Sequence, residues 1–263
     1  MSGDPGRPER EALGSLDPLR ATGWAPWPVP EVLETTPSTM LEVEHRARDG
    51  APEGTVVVAE EQTQGRGRRG RTWESPARTG LWWSVLLRPQ VPPDHLGWLP
   101  LVIGIGVSRG LRSGVGVDAE LKWPNDVLVR GRKLAGILAE RLADGGVVVG
   151  VGINVDQEEA ELPAGGASLR TSGHVVNRTE VLVDVLSAVA GAYREWRTGV
   201  DMRPEYVECS ATIGRDVTAD LGGRVVEGRA RGLGPSGELV IIDAEGEEHL
   251  LSAGDVTLLR PDS

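Results

Sequence analysis

The sequence predicts an α+β protein in which a larger unit of mixed strands and helices precedes a small β-barrel or sandwich. Up to about residue 205, apolar runs of strand length alternate with segments whose apolar residues recur at helical spacing. From about residue 210, the segments are short, mostly alternate between apolar and polar residues, and are separated by glycine turns. That second pattern is typical of a small all-β domain.

The first third of the chain predicts one short helix and two strands. Residues 38–50 are predicted to form a helix, in which Thr39 and Glu42 fit a capping box. The apolar run at residues 55–61 predicts a buried strand, and residues 81–89 predict a second strand that ends at a proline. An arginine-rich loop separates these two strands, so it begins where the first strand ends.

The middle of the chain predicts a helix followed by antiparallel strands. Residues 95–114 carry apolar side chains at helical spacing. The short strand AELKW follows, and a hairpin is expected to turn at Gly131, because glycine permits a tight turn between two apolar runs. The pair Gly145-Gly146 predicts another tight turn, which leads into an apolar strand at residues 147–155.

The clearest amphipathic helix is predicted at residues 178–197, with Asn177 as its cap and Glu180 at the third position. The pattern changes after this helix, which indicates a domain boundary near residues 205–212. We therefore expect a flexible N-terminal segment at residues 1–25, a main domain at residues 26–208 and a C-terminal domain at residues 209–263.

The composition indicates an acidic chain of 263 residues with a net charge of −11. An acidic surface disfavours non-specific nucleic-acid binding, which rests on basic faces. The one cysteine, Cys209, cannot build a disulfide or a zinc site within the chain, and the N-terminus lacks the apolar core of a signal peptide. We expect a cytoplasmic protein with no membrane-spanning helix.

An arginine loop lies in the stretch EEQTQGRGRRGRTW, residues 61–74, where glycines separate Arg66, Arg68, Arg69 and Arg71. The glycine spacing matches a dinucleotide-binding fingerprint, but no helix follows it and no acidic residue lies at the required distance. A P-loop is absent from the sequence. A solvated basic turn and an RNA-binding segment are the other interpretations. Because guanidinium groups suit phosphates and carboxylates, we expect the loop to be disordered when empty and to order on an anion.

A second cluster of polar residues surrounds the predicted hairpin. Its members are Lys122, Asn125, Asp126 and Lys133. In a plain hairpin they would be turn formers and solvated lysines, but Gly136 lies inside the following strand, where glycine often marks the close approach of a ligand. Gly150 and Gly152 leave similar room in the next strand, beside Asn154, whose amide offers both a donor and an acceptor.

These three segments supply arginines, two lysines, a carboxylate and amides, but no activated nucleophile. The four histidines show no metal-ligand spacing and no pairing with a serine or cysteine. A site rich in cations and poor in nucleophiles suits the electrostatic stabilisation of phosphate groups, while the substrates themselves react.

The motifs GRGRRGRTW, KWPNDVL, KLAGIL and GVGIN, in this order, closely resemble those of the bacterial biotin–protein ligases. PSTM at residues 37–40 and the small C-terminal β-domain are similar as well. The resemblance implies a mixed β-sheet with helices on one side, related to class II aminoacyl-tRNA synthetases, and an SH3-like barrel after it. It also implies a two-step reaction, in which biotin and ATP form biotinyl-5′-AMP and a lysine amine of a carrier domain then takes the biotin.

The resemblance assigns roles to the matching positions. The catalytic residues would be Lys133, Arg68 and Asp126. The biotin-binding residues would be Ser38, Thr39, Met40, Gln62, Arg66, Gly67, Arg68 and Lys133. The residues that bind ATP and the adenylate would be Arg68, Arg71, Trp73, Asn125, Lys133 and Asn154. Lys133 would bridge the biotin carboxylate and the α-phosphate, and Asp126 would orient the incoming amine, whereas Lys122 is either catalytic or structural.

The implied cofactors are ATP and Mg²⁺, with Mg²⁺ held mainly by the ATP phosphates, and biotin is a substrate. The implied partner is the biotin carboxyl carrier domain of acyl-CoA or pyruvate carboxylases, and the protein would be a monomer or a ligand-linked homodimer. Many members of the family carry an N-terminal DNA-binding domain, for which about 25 residues are too few, so we expect no DNA binding. The alternatives are a lipoate–protein ligase of the same superfamily and, from another class, an arginine-rich nucleic-acid-binding protein.

Overall fold

Two β-sheets form the frame of the chain, which the computed structural model describes at residues 15–17 and 27–259. The first sheet contains β1 (Glu31–Thr36), β2 (Val56–Gln62), β3 (Gly80–Leu87), β4 (Glu120–Lys122), β5 (Asp126–Val129), β6 (Arg132–Arg141) and β7 (Val147–Asn154). The second contains β8 (Asp216–Asp220), β9 (Val225–Leu233), β10 (Leu239–Ile242), β11 (Glu248–Leu251) and β12 (Asp255–Leu258). The α-helices are α1 (Thr39–Arg48), α2 (Leu99–Val115), α3 (Arg178–Arg197) and α4 (Arg203–Glu208). The expected flexible segment at residues 1–25 lies outside the described residues, apart from 15–17.

The strand order confirms the predicted fold class. The first sheet runs β1-β2-β3-β7-β6-β5-β4, with β1 parallel to β2 and every other neighbouring pair antiparallel, so the sheet is mixed. The second sheet runs β11-β10-β9-β8-β12 and is antiparallel throughout, as expected of a small SH3-like domain. The predicted hairpin turn lies between β5 and β6, with Gly131 at a φ of 74°.

The helices lie on both faces of the first sheet, which differs in one detail from the expected arrangement on one side. Helices α2 and α3 pack together in the large core with Val56 and Val58 of β2. Helix α1 packs in a separate small core, where Met40 and Val43 contact Val57. Successive side chains of a strand point to opposite faces, so β2 is buried on both sides. None of the described helices is long and apolar enough to cross a membrane.

The structure confirms one predicted helix cap and corrects another. The Asn177 side chain accepts hydrogen bonds from the backbone of Thr179 at 2.9 Å and Glu180 at 3.4 Å at the start of α3. The capping box of Thr39 and Glu42 is wrong, because Ser38 precedes α1 and no side chain caps its backbone. Thr39 and Glu42 instead bind partners outside the helix start, as tertiary contacts override the local pattern.

Trp123, in the turn between β4 and β5, joins the two sheets. Its backbone N–H donates to Thr212 Oγ1 at 3.0 Å, and its indole Nε1 donates to the carbonyl of Gly237, also at 3.0 Å. Leu121 of β4 exchanges backbone hydrogen bonds with Cys209 and Ala211, each of 2.8 Å. The second sheet is therefore fixed beside the hairpin that carries the second cluster of polar residues.

Candidate active site

A cleft of about 490 Å³ opens where the arginine loop, the β5–β6 hairpin and the second sheet meet. Small-molecule sites have volumes of roughly 300–1,000 Å³, so this cleft is of the right size for a metabolite. The predicted residues that line it are Ser38, Thr39, Met40, Gln62, Arg66, Gly67, Arg68, Arg71, Trp73, Lys122, Asn125, Asp126 and Lys133. Three segments that are far apart in the sequence thus meet at one site.

The arginine loop, defined as residues 65–72, leaves the end of β2 and folds back on itself. Two backbone hydrogen bonds close it, from Gly67 N to Arg71 O at 2.8 Å and from Trp73 N to Gly65 O at 2.9 Å. Arg68 reaches across the cleft and donates to Asn125 Oδ1 at 2.9 Å. Burial lowers the pKa of Arg68, and the charge of Asp255 opposes that change. The loop therefore places the partly desolvated guanidinium of Arg68 against the residues that lead into the β5–β6 hairpin.

The arginine loop was expected to order on an anion, and in the structure the carboxylate of Asp255 is such an anion. Arg69 lies 3.2 Å from Asp255 Oδ2, and Arg71 also binds this oxygen. Arg68 donates to the carbonyl of Gly254 at 3.3 Å. The ordering of the loop thus involves a carboxylate of the second sheet, which the sequence pattern did not indicate.

Lys133 and Asp126 form an ion pair at the other wall of the cleft. Lys133 Nζ lies 2.6 Å from Asp126 Oδ1, and the two side chains are 37% and 19% exposed. The ammonium also lies 5.3 Å from the centre of the Trp73 ring, within the range of a cation–π contact. The backbone of Lys133 is held by Gly165 and Ala167 through hydrogen bonds of 2.8 Å each. The lysine is therefore anchored at its base while its head faces the cleft.

Glycines form part of the cleft floor, as the sequence predicts. A Cβ atom on Gly152 would lie 2.5 Å from Trp73 Nε1, and one on Gly136 would lie 2.8 Å from a ring carbon of Trp73. A Cβ atom on Gly150 would lie 2.8 Å from Met40 Cγ. Real contacts of Cβ atoms are longer than this, so these strand positions are glycine because Trp73 and Met40 lie directly above the sheet.

Three buried polar atoms of residues that line the cleft have no hydrogen-bond partner among the described residues. They are Ser38 Oγ, Trp73 Nε1 and Trp83 Nε1. The neighbouring Thr39 does have partners, because its backbone N–H and hydroxyl donate to Gln62 Oε1 at 2.8 and 3.1 Å. An unsatisfied buried polar atom costs free energy, so these positions favour a ligand with polar groups of its own.

Asn154 is the predicted site residue that the structure does not bring to the cleft. Its Nδ2 donates to the carbonyl of Ala167 at 3.0 Å, and its Oδ1 accepts from Gln157 Nε2 at 3.1 Å. The segment after β7 folds over Asn154, and the amide holds that segment. The structure thus gives the Asn154 amide two partners in the chain, and its contact with the adenylate stays a prediction.

Sequence reasoning missed the part of the cleft that comes from the second sheet. The lining residues there are Thr218, Asp220, Asp255, Val256 and Thr257. They occur in short alternating strands, in which acidic and hydroxyl side chains usually face solvent. No signal in the sequence distinguishes them from ordinary surface residues.

The chain matches two family models in succession. Residues 30–158 match the biotin/lipoate A/B protein ligase family, and residues 212–259 match the biotin protein ligase C-terminal domain. The first match includes the arginine loop and the β5–β6 hairpin, and the second includes the strand that begins with Asp255.

Individual relatives and structures agree with these matches. The chain is 38% identical to the biotin–[acetyl-CoA-carboxylase] ligase of Mycobacterium tuberculosis, with 97% of each chain covered. It is 33% identical to the bifunctional ligase/repressor BirA of Bacillus subtilis, over 85% of this chain and 71% of that one. The biotin protein ligase of Aquifex aeolicus, in complex with biotin and ATP, superposes with a TM-score of 0.75 at 31% identity, over 88% of this chain and 99% of that one.

Proposed function

The chain belongs to the family of biotin protein ligases, and we propose from this premise that it attaches biotin to a lysine of the carrier domain of acetyl-CoA carboxylase. The enzyme is an ATP-dependent, AMP-forming ligase that makes a carbon–nitrogen bond by way of biotinyl-5′-AMP. One observation carries the assignment of the site: loop arginines and Lys133 face one cleft, in whose floor glycines let Trp73 and Met40 pack directly on the sheet.

The first step joins two anions, and the cations of the cleft reduce their repulsion. An oxygen of the biotin carboxylate attacks the α-phosphorus of ATP, the bond from that phosphorus to the β-phosphate oxygen breaks, and pyrophosphate leaves. Two unit charges 4 Å apart interact by about 1 kcal/mol in bulk water and by about 4 kcal/mol near a protein surface. We assign the bridging of carboxylate and α-phosphate to Lys133, and the closure over both groups to Arg66, Gly67 and Arg68.

The two ends of the adenylate are assigned to different walls of the cleft. Biotin lies towards α1, where Ser38, Thr39, Met40 and Gln62 offer two hydroxyls, an amide and an apolar side chain. The Met40 side chain offers no hydrogen-bond donor, so we assign packing and backbone contacts to this residue. The nucleotide lies towards the β5–β6 hairpin, and the residues assigned to it are Arg71, Trp73 and Asn125.

The second step releases AMP. The unprotonated amine of the target lysine attacks the carbonyl carbon of biotinyl-5′-AMP, and the bond from that carbon to the phosphate oxygen breaks. The nitrogen then loses a proton, and we assign its acceptance to Asp126. Once the adenylate phosphate draws Lys133 away from Asp126, the carboxylate is free to orient the incoming amine.

Magnesium would be bound together with ATP. Carboxylate oxygens are the ligands that Mg²⁺ prefers, and the carboxylates that line the described part of the cleft are those of Asp126, Asp220 and Asp255. Asp126 and Asp255 are engaged by cations, and Asp220 accepts from the backbone of Gly222 and Gly223. The ATP phosphates would therefore be the main ligands of Mg²⁺, and the ion would supply positive charge that stabilises the leaving pyrophosphate.

The carrier domains of other acyl-CoA carboxylases and of pyruvate carboxylase belong to the same proposal, because they present a lysine in the same chemical role. We place the reaction in the cytoplasm, where ATP is available.

Burial raises the pKa of the single cysteine, Cys209, to about 11, so its thiol is not a competing nucleophile near neutral pH. A monomer or a ligand-linked homodimer is compatible with this site.

Lipoate is the alternative substrate, because the matched family includes lipoate ligases. Calorimetric titration distinguishes the two: biotin binds, lipoate does not, and ATP binds more tightly once biotin is present. The enzyme assay measures AMP, pyrophosphate and biotinylated carrier domain. A purified protein that forms neither AMP nor pyrophosphate from biotin and ATP would refute the proposed function.

Arg68→Gly is expected to release biotinyl-5′-AMP before it reacts, because a partly desolvated cation that closes the cleft is lost. The released adenylate acylates lysines at random, so labelling of an added bystander protein rises by about tenfold. The measurement is an avidin blot of bystander and carrier. Arg130→Gly is the matched control, since Arg130 is exposed in the hairpin turn at a φ of 51°, which glycine adopts easily. Labelling confined to the carrier would remove Arg68 from this role.

Gly152→Val is expected to lower kcat/KM for adenylate formation by about tenfold or more, because the new side chain displaces Trp73 from the cleft floor. The assay is pyrophosphate release at low biotin concentration. Gly232→Val is the control, since Gly232 also lies in a strand but a Cβ atom there meets nothing within 4 Å. Equal activity of the two variants would show that the floor does not shape the site.

A further inference from the structure

Four polar side chains form a continuous series of hydrogen bonds at the wall of the cleft assigned to biotin. Ser84 Oγ of β3 lies 2.7 Å from Thr39 Oγ1, which in turn lies 3.1 Å from Gln62 Oε1. The other end of the Gln62 amide donates from Nε2 to Ser75 Oγ at 2.8 Å. Thr39 and Gln62 line the cleft, and Ser75 and Ser84 are buried. The two serines therefore act on the cleft through the residues that line it.

The backbone of Thr39 fixes the orientation of the Gln62 amide. A backbone N–H can only donate, and that of Thr39 lies 2.8 Å from one end of the amide, so this end is the oxygen. Gln62 Oε1 also accepts from the Thr39 hydroxyl, and these two bonds use both of its lone pairs. The amide nitrogen donates one N–H to Ser75, and its second N–H has no acceptor in the described part of the chain.

The hydroxyl of Thr39 has one hydrogen, and its two neighbours decide where that hydrogen points. Gln62 Oε1 can only accept, so the hydrogen is directed to it. In the contact between Thr39 and Ser84, it is then Ser84 that donates. One lone pair of Thr39 Oγ1 remains, so Thr39 can accept a hydrogen bond from a ligand but cannot donate one. A ligand thus meets an acceptor at Thr39 and a donor at Gln62.

This pair of groups suits a ligand that carries an N–H beside a carbonyl. Ser38, which precedes Thr39, adds a buried hydroxyl with no partner among the described residues. The cyclic urea of biotin has two N–H groups and one carbonyl, whereas the dithiolane ring of lipoate has no N–H. A site built to hydrogen-bond its substrate rejects an analogue that leaves the buried polar groups of the site unpaired.

We propose that Ser84 is a positioning residue that determines specificity for a cyclic urea. By donating to Thr39, it keeps the Thr39 hydrogen on Gln62 and reserves the remaining lone pair of Thr39 for an N–H of the substrate. Ser84 does not touch the substrate and acts through Thr39. That the urea is that of biotin rests on the proposed function, whereas the direction of the hydrogen bonds does not.

Ser84→Ala tests this role by removing the donor. Calorimetric titration without ATP is expected to give a Kd for biotin about tenfold higher than that of the wild type, because the Thr39 hydroxyl can then turn its hydrogen towards the substrate N–H. Desthiobiotin keeps the cyclic urea but lacks the sulfur-containing ring, so its affinity should fall by the same factor. Ser108→Ala is the matched control, since Ser108 is also buried and its hydroxyl donates at 2.7 Å, but to the carbonyl of Ala119. Its Kd for biotin should equal that of the wild type.

A double-mutant cycle separates this role from a packing defect. Thr39→Val removes the hydroxyl through which Ser84 acts, so in that background Ser84→Ala should change the Kd for biotin by less than about twofold. At saturating biotin, kcat of Ser84→Ala should stay close to that of the wild type, whereas a loss of folded protein would lower it. If Ser84→Ala does not fold, Ser84→Cys retains a weak donor and should give a smaller rise in Kd.

Three results would overturn the proposal. The first is a Kd for biotin equal to that of the wild type in the Ser84 variant. The second is simple additivity of Ser84→Ala and Thr39→Val. The third is a loss of affinity for biotin but not for desthiobiotin, which would show that Ser84 shapes the pocket around the second ring. A failure of the proposed function is distinguishable from all three, because the wild-type protein would then bind neither compound.

Discussion

Lys133→Ala is expected to slow the formation of biotinyl-5′-AMP by more than about 100-fold, which corresponds to roughly 2.7 kcal/mol of activation free energy. The reason is the developing charge at the bond between the carboxylate oxygen and the α-phosphorus, which the Lys133 ammonium would stabilise. In the structure this ammonium lies 2.6 Å from Asp126, and Lys133 lines the cleft in which we propose that the phosphates bind. Rapid-quench measurement of the adenylate in a single turnover gives the rate.

The control for this prediction is Arg130→Ala, which removes a cation from the same hairpin at an exposed position outside the cleft. Its adenylation rate should stay within about twofold of wild type, as expected of a surface substitution. Biotin binding by Lys133→Ala should be measured as well, so that lost binding is not mistaken for lost catalysis. An adenylation rate close to wild type would exclude Lys133 from the mechanism.

Arg178→Ala is expected to lower the free energy of unfolding by about 3–5 kcal/mol, because it leaves a buried carboxylate without its cation. Arg178, at the start of α3, donates to Glu60 of β2 at 2.7 Å, and the two side chains are 3% and 1% exposed. The pair connects the end of β2, from which the arginine loop departs, to the helical layer. Urea unfolding followed by circular dichroism measures the loss.

Arg109→Ala is the matched control for Arg178→Ala. Arg109 also joins a helix to neighbouring carboxylates, Glu195 at 2.8 Å and Glu205 at 2.5 Å, but its side chain is 32% exposed. Exposed pairs contribute about 1 kcal/mol or less. Adding Glu60→Gln to Arg178→Ala should recover part of the stability, since no ionised group then remains buried. Similar losses in the two arginine variants would contradict the importance of burial.

Most of the candidate site could be predicted because its residues belong to short local motifs. Arg68, Asn125 and Lys133 each follow or lie in a recognisable strand or hairpin, and antiparallel pairing brings those motifs together. The glycines at 136 and 152 could be interpreted as well, because a strand interior rarely favours glycine without a reason. The local sequence pattern was sufficient to predict a residue of the candidate site wherever its own strand or hairpin brings it to the cleft.

The rest could not be predicted because it depends on contacts between distant segments. Asp255 meets Arg71 across 184 positions of sequence, and nothing in its own strand marks it. The residues around Thr39 in the sequence predict that it caps a helix. In the structure its hydroxyl forms hydrogen bonds with Gln62 and Ser84 instead. Asn154 comes two residues after Gly152 in β7, which suggested that it faces the same site. Its amide instead forms hydrogen bonds with residues of the segment after β7. In each case the packing of another element decided what the side chain does.

The positions of the two lysines limit how far the enzyme can be acylated by its own reactive intermediate. Of the 28 lysines and arginines in the chain, only Lys122 and Lys133 are lysines, and both line the cleft. A mixed anhydride is captured by amines, whereas guanidinium groups remain protonated and do not compete. The outer surface therefore carries no lysine side chain on which an escaped acyl group could accumulate, and acylation of lysine side chains within the enzyme is limited to Lys122 and Lys133.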